Sequence, residues 1–210
     1  MEEDRRSRKR DRTRQAILAG ALALFAEKGI YEPSIEEVTA RADVGKGTFY
    51  QYFDSREMLI AELVQNGFAR LLAETELQVD AAGECADPLP IILVSHQVFF
   101  ALNPEYLLLF HQARGWMKMA RHHGGKLQEA FYAYVRRLGQ LMGDPPTNPS
   151  DPPSRRAVVL AGVIAGVLSF EKILDTRESP EGLVGDLSLL VPASPTEAPP
   201  NRGLTSKGRR

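Results

Sequence analysis

Five polar side chains with different hydrogen-bonding groups stand close together between positions 46 and 52: Lys46, Thr48, Tyr50, Gln51 and Tyr52. Lysine, threonine and glutamine carry the donors, the acceptor and the methyl group that complement base edges in the major groove of DNA. Phenolic hydroxyls donate to phosphates, a contact that positions a protein on a duplex without reading its sequence. The set therefore predicts a nucleic-acid contact, provided that one element presents these side chains together.

The surrounding residues predict such an element. Ser34 and Glu37 have the spacing of a capping box, which predicts a short helix from about residue 35 to residue 41 or 42. The turn residues 43–45 then interrupt the helical pattern, and a second short helix is predicted over residues 46–53. Two short helices joined by a tight turn describe a helix-turn-helix, in which the start of the second helix points at base edges.

The segment VGKGTFYQYFDSREML, residues 44–59, resembles the DNA-binding segment of the TetR family of bacterial regulators. The residues in register with the family pattern are Gly47, Tyr50, Tyr52, Phe53, Ser55, Arg56, Glu57 and Leu59. The sequence departs from the pattern at Asp43, where glycine is usual, at Gly45, where a serine cap is usual, and at Thr39, where alanine is usual.

The resemblance implies a DNA-binding surface formed by Lys46, Thr48, Tyr50, Gln51, Tyr52, Arg56 and Ser34. Arg56 is predicted to contact phosphate, because the backbone amides at the start of the following helix also favour an anion. Asp54, with Glu57 three residues later, is predicted to cap that helix.

A basic run precedes this unit, with seven cations and one acid from Arg5 to Arg14. Such a run is either a solvated tail or an arm that touches phosphates, and its position beside a helix-turn-helix favours the arm. Residues 1–10 are expected to be disordered until an anion orders them.

The chain of 210 residues is long enough for one or two domains. Its net charge of −1 does not by itself point to a polyanionic partner. No segment alternates as a strand does, so the fold class is all-α. The further predicted helices span about residues 11–28, 55–77 or 55–79, 91–102, 105–121, 126–142, 154–175 and 180–190. Residues 144–153 contain too many prolines for a helix.

The domain organisation follows from these elements and the resemblance. Residues 1–56 are expected to form the basic arm and the helix-turn-helix domain, and residues 57–191 a larger helical domain for ligand binding and dimerisation. Residues 192–210 are expected to be a disordered, proline-rich, basic tail. The single cysteine, Cys85, excludes an intrachain disulfide and suits a reducing compartment, so a cytoplasmic protein is predicted.

Aromatic and polar side chains in the second half are candidates for a small-molecule pocket: His96, Phe99, Phe100, Phe110, His111, Trp116, Phe131 and Tyr134. Aromatic-lined helical cores with a few polar groups make good pockets, but the same spacing also describes ordinary core packing. Cys85 has no cysteine or histidine at ligand spacing, so no metal site or cofactor is predicted.

Residues 154–175 alternate small and branched apolar side chains nearly all round the predicted helix, so it must be covered on several sides. Its apolar run, Ala157–Phe170, is 14 residues long, shorter than the roughly 20 that a membrane helix needs. Two interpretations remain open: the core of one chain, or a homodimer interface formed by Val158, Gly162, Ala165, Gly166, Leu183 and Leu187.

The sequence thus favours a homodimeric transcriptional regulator, a repressor that a small hydrophobic or aromatic ligand releases from a palindromic DNA operator. One alternative is a DNA-binding or architectural protein without a ligand, and the other is a helical enzyme with a vestigial helix-turn-helix. Catalysis has little support, because Ser169 lacks the glycines of a nucleophile elbow and the segment 45–48 lacks the upstream glycine of a phosphate-binding loop.

Overall fold

The computed structural model of the protein describes residues 2–83, 85–119, 124–146, 148 and 151–174. These residues form eight helices: α1 Glu2–Lys28, α2 Ile35–Arg41, α3 Lys46–Tyr50, α4 Arg56–Ala82, α5 Pro88–Leu102, α6 Pro104–Met119, α7 Gly124–Leu141 and α8 Arg155–Leu174. No strand occurs among them, which confirms the all-α class. The helix predicted over residues 180–190 and the tail predicted over residues 192–210 lie outside the described residues.

α1 begins at Glu2, so the prediction that residues 1–10 are disordered is wrong. The segment contains no proline or glycine before Gly20, and the acids at positions 2–4 suit the N-terminal end of a helix. Arg8 also forms an ion pair of 2.7 Å with Asp4, one helical turn earlier. Local charge pairing therefore continues the helix through the basic run.

The turn between α2 and α3 has the predicted cap and one unusual backbone angle. The Ser34 hydroxyl accepts from the Glu37 N–H at 3.2 Å, and the Ser34 N–H donates to the Glu37 carboxylate at 2.8 Å, which confirms the capping box. Asp43 has φ of 52°, the one positive value for a non-glycine residue in the described part of the chain. Aspartate tolerates this left-handed conformation better than most residues, and it stands where the TetR pattern has glycine.

α3 ends at Tyr50 rather than at the predicted Phe53, with Gln51 as its C-terminal cap. α4 is capped by Ser55, whose hydroxyl accepts from the Met58 N–H at 3.3 Å, so the prediction of Asp54 as the cap is wrong. Phe53 is buried two residues before this cap.

α4 lies at the centre of the protein and packs against α5, α6 and α7, while its N-terminal part contacts α1. At Gly67, α6 comes so near that an added Cβ would lie 2.5 Å from a ring carbon of Tyr106. Glycine is therefore required sterically at this crossing. α4 continues to Ala82, beyond the predicted end at residue 77 or 79, and its length joins the helix-turn-helix to the rest of the core.

α5, α6 and α7 start slightly earlier than predicted. Pro88 and Pro90 lie inside the first turn of α5, where a missing N–H is tolerated, so the break after α4 is shorter than the predicted 81–90. α7 begins at Gly124 rather than near residue 126, and α8 matches the predicted 154–175 closely. The proline-rich segment 144–153 contains no helix where it is described, as expected.

No single helix in the described ranges is long and apolar enough to cross a membrane. The α5–α6 pair reaches the required length and composition only jointly, with a bend of 105° between the two helices.

Candidate nucleic-acid interface and ligand cavity

α3 turns one side chain inward and leaves its polar ones at the surface. Phe49 is completely buried, whereas Lys46, Tyr50 and Gln51 are exposed and Thr48 is half-buried. Phe49 is therefore the buried anchor of α3, and its ring centroid lies 5.6 Å from that of Phe53. The contact groups predicted at residues 46–51 thus remain accessible at the surface.

Lys46 already has a partner in this structure. Its ammonium donates to the Glu36 carboxylate on α2, and this hydrogen bond raises the pKa of Lys46 and lowers that of Glu36. Both side chains are exposed, so the pair is weak and exchangeable. A DNA base or phosphate at Lys46 would compete with Glu36 for the ammonium donors.

Tyr52 joins the helix-turn-helix to the basic side of α1. It lines a cleft of about 370 Å³ together with Arg6, Arg10 and Arg14, which follow one another at four-residue steps. Arg14 donates to Glu62 at 2.7 Å and lies over the Phe53 ring, so it serves the packing of α1 on α4. Arg6 and Arg10 form no ion pair with any described carboxylate, and they remain available to an anion.

Arg56 and Ser34 are placed differently from the prediction. The Arg56 guanidinium donates to the Ile30 carbonyl and lies over the rings of Phe25 and Trp116, at 5.9 and 5.5 Å from their centroids. Burial accordingly lowers the pKa of Arg56. A phosphate contact would require Arg56 to leave this position, and the hydroxyl of Ser34 is occupied by the α2 cap.

A cavity of about 200 Å³ lies between α4, α5, α6, α7 and α8. The predicted pocket residues that line it are Phe100, Phe110, His111, Phe131 and Tyr134. An adjoining cleft of about 450 Å³ shares Leu107 and His111 with it. The structure thus brings together five of the eight predicted pocket residues.

The other three predicted pocket residues do not line the cavity. Phe99 is fully buried in the core beside Phe100 and Tyr106, and Trp116 stacks on Tyr31 with ring centroids 5.4 Å apart. Helical spacing identifies the inward face of a helix, but it does not show which neighbouring helix packs against that face.

His96 lies behind the cavity wall and supports it. Its Nδ1 is 2.7 Å from the Ile92 carbonyl oxygen, and its Nε2 is 2.9 Å from the Tyr134 hydroxyl oxygen. A carbonyl only accepts, so Nδ1 carries the proton and Nε2 accepts from Tyr134. Full burial lowers the pKa of His96 to about 4 and raises that of Tyr134. The neutral pair holds the ring of Tyr134 against Phe68.

Phe68 on α4 and Arg114 on α6 are among the cavity residues that were not predicted from the sequence. The Phe68 ring stacks between those of Phe110 and Tyr134, with centroids 4.2 Å away on each side. Arg114 follows His111 by three residues, so the two side chains share a face of α6. That spacing was the available signal for Arg114.

Some of the predicted dimer residues lie on the exposed face of α8, and some lie in the cavity wall. Val158 and Gly162 are exposed on α8, and an added Cβ at Gly162 or Gly166 would meet no atom within 4 Å. Gly162 and Ala165 also contribute to the cavity wall. Leu183 and Leu187 lie outside the described residues.

No group of three or more His, Cys, Asp or Glu side chains that could hold a metal ion occurs in the described part of the chain.

A capped α2, a tight turn and an exposed polar α3 beside basic α1 define a helix-turn-helix unit for DNA. Residues 17–63 match the family model described as bacterial regulatory proteins, tetR family. The chain therefore carries a TetR-family DNA-binding unit.

Related proteins match different lengths of this chain. The uncharacterized HTH-type transcriptional regulator YvdT of Bacillus subtilis (strain 168) is 36% identical over 52 residues, which are 25% of this chain and 27% of YvdT. The chain thus spans about a quarter of that relative. The HTH-type transcriptional regulator AcrR of Shigella flexneri is 25% identical over 166 residues, 74% of this chain and 76% of AcrR.

Among solved structures, the transcriptional regulator FadR from Bacillus subtilis in complex with stearoyl-CoA has a TM-score of 0.66 to this chain. It is 16% identical, and the match covers 86% of this chain and 98% of FadR. This likeness shows that the two proteins share a fold.

Proposed function

We propose that the protein is a homodimeric, cytoplasmic transcriptional regulator of the TetR type, a repressor released from a palindromic operator by a small hydrophobic or aromatic ligand. The observation that carries the proposal is the presentation of Lys46, Thr48 and Gln51 on α3 by the buried anchor Phe49. The aromatic cavity supports the ligand, as does the binding of stearoyl-CoA by a protein of the same fold.

The DNA-reading role is tested by separating base contacts from phosphate contacts. Thr48→Ala and Gln51→Ala should each lose about 1–3 kcal/mol of discrimination at particular base pairs. Tyr50→Phe should weaken binding to all sequences by a similar factor, because a phosphate contact carries no base information. Selection from a randomised operator library measures both effects. A uniform loss for all three variants would contradict the assignment.

The basic face of α1 is expected to add phosphate contacts. Arg6→Gln combined with Arg10→Gln removes two such contacts and should make the slope of log affinity against log salt shallower by about 2. Arg137→Gln is the control, because Arg137 lies on α7 and pairs with Glu76 at 2.6 Å. An unchanged slope in the double variant would show that the basic run is a solvated surface.

The proposed dimer interface is the exposed apolar face of α8. Val158→Glu should place a charge in that interface and give monomers that keep their helicity but bind a two-half-site operator weakly. Val98→Glu on α5 is the matched control, since Val98 is 49% exposed and Val158 is 52% exposed. Sedimentation equilibrium compares the two variants. Dimers that persist in Val158→Glu and bind the operator normally would refute this interface.

Release by a ligand needs a connection between the cavity and the DNA-binding unit, and α6 provides contacts to both. Phe110 and Arg114 line the cavity, while the Gln112 side chain accepts from the Ile30 N–H at 2.7 Å. A ligand that shifts α6 would therefore move the segment between α1 and α2. The two recognition helices would then no longer match half-sites about 34–36 Å apart.

A further inference from the structure

One cationic side chain lies in the largely aromatic wall of the cavity, and no described carboxylate pairs with it. Arg114 lines the cavity and is half-buried, and burial lowers its pKa. Arginine nevertheless stays protonated in proteins, so the cavity contains a positive charge. No carboxylate of the described residues forms an ion pair with it, whereas Arg14, Arg41 and Arg137 each have one.

The contacts that Arg114 does make leave most of its donors free. Its Nη2 lies 3.3 Å from His111 Nδ1, and this is the one hydrogen bond of its guanidinium within the described residues. A guanidinium has five N–H donors in a planar fork that matches a carboxylate. A buried charge without a partner is costly, so a bound anion would stabilise this arrangement.

Two other polar groups near the cavity are already engaged, whereas the His111 imidazole lies in the wall beside Arg114. The Tyr134 hydroxyl donates to His96, and the Ser169 hydroxyl near the mouth donates to the Ala165 carbonyl at 2.6 Å. The remaining lining is aromatic or aliphatic, with Phe68, Phe110 and Tyr134 stacked in one series. The cavity thus offers flat apolar walls and a single strong site for a negative group.

We propose that the ligand of this cavity is a small carboxylic acid with an aromatic or aliphatic body, held with its body between the rings and its carboxylate on Arg114. This inference rests on the proposed function, because it names the class of effector that acts there. The volume of about 200 Å³ limits the enclosed part to a body of about two fused rings, smaller than the 300–1,000 Å³ typical of drug-sized sites.

The test compares two probes of one shape that differ in charge, 2-naphthoate and 2-naphthamide, by isothermal titration calorimetry. Wild-type protein should bind the acid about tenfold more tightly or better, as expected for charge-assisted hydrogen bonds to a carboxylate. Arg114→Gln should abolish this preference while leaving the affinity for the amide unchanged. Arg114→Lys keeps the charge and should retain part of the preference.

Arg70→Gln is the matched control. Arg70 also lies over aromatic rings, those of Phe99 and Tyr106, but it does not line the cavity. Its replacement should leave the preference for the acid unchanged. Equal affinity of wild-type protein for acid and amide would overturn the inference, and so would an acid preference that survives Arg114→Gln.

Binding of neither probe to the wild-type protein would also overturn the inference. Binding of the same preparations to a DNA duplex is measured as an independent test of the proposed function. If the protein does not bind DNA, the proposed function is refuted, whatever the result with the two probes. Circular dichroism checks the fold of each variant. If Arg114→Gln does not fold, the acid-to-amide ratio in the wild type and in Arg114→Lys still decides the question.

Discussion

Lowering the pH from 7 to 5 should destabilise the protein through His96. The ring is fully buried, and its two nitrogens are engaged with the Ile92 carbonyl and the Tyr134 hydroxyl. A second proton on Nε2 would displace the Tyr134 donor and leave a charge in the core. Burial therefore lowers the pKa of His96 from 6.5 to about 4.

The sign and size of the effect follow from the two pKa values. The unfolded chain takes up a proton near pH 6.5, whereas the folded protein resists protonation until about pH 4. Stability that is present above the unfolded pKa is therefore lost as the pH falls through this window. The full loss is about 3 kcal/mol, of which about 2 kcal/mol falls between pH 7 and pH 5.

Urea unfolding at pH 7, 6 and 5 measures this loss. His96→Gln is the informative variant, because an amide can donate to Ile92 and accept from Tyr134 without titrating. The wild type should lose about 2 kcal/mol more than His96→Gln over this range. His111→Gln, a change at an exposed histidine, should behave as the wild type does. Equal losses in the wild type and His96→Gln would refute the buried neutral state of His96.

Three further substitutions test individual contacts. Gly67→Ala should cost about 1–3 kcal/mol in thermal unfolding, because its Cβ would lie 2.5 Å from a ring carbon, while the open site Gly125→Ala should be neutral or stabilising. Asp43→Gly should raise the free energy of unfolding by about 1 kcal/mol, because glycine adopts the φ of 52° without steric cost. No gain in stability would show that the aspartate is not strained at this position. Gln112→Ala should cost about 1–3 kcal/mol in urea unfolding, since it leaves the Ile30 N–H without its acceptor, and no change would mean that water replaces the amide.

The features that sequence analysis predicted well depend on neighbouring residues. The capping box of Ser34 and Glu37 and the turn after α2 depend on residues a few positions apart, so the pattern contains the information. The choice between Asp54 and Ser55 as the cap of α4 could not be made locally, because both residue types cap helices. In the structure the Ser55 hydroxyl accepts from the Met58 N–H.

The cavity was predicted only in part because its shape depends on contacts between distant helices. Periodicity correctly marked Phe110 and Tyr134 as inward-facing, but it could not show that Trp116 would stack on Tyr31, 85 residues earlier in the chain. The spacing from His111 placed Arg114 on the same face of α6, but it could not show that Arg114 lacks the ion pair that Arg14 and Arg137 each have. That distinction requires the surrounding carboxylates, which become visible only in three dimensions.

α6 contacts both α4 and the segment between α1 and α2, and the sequence pattern did not predict these contacts. α4 is one link between the two regions, because it begins at the DNA-binding unit and its Phe68 lines the cavity. In the structure, α6 presses on α4 at Gly67, and its Gln112 and Trp116 hold the segment at Ile30. Arg56 at the start of α4 donates to the carbonyl of the same Ile30. We infer that a ligand beside Arg114 would displace α6 and α4 together, because both helices are fastened to one residue between α1 and α2.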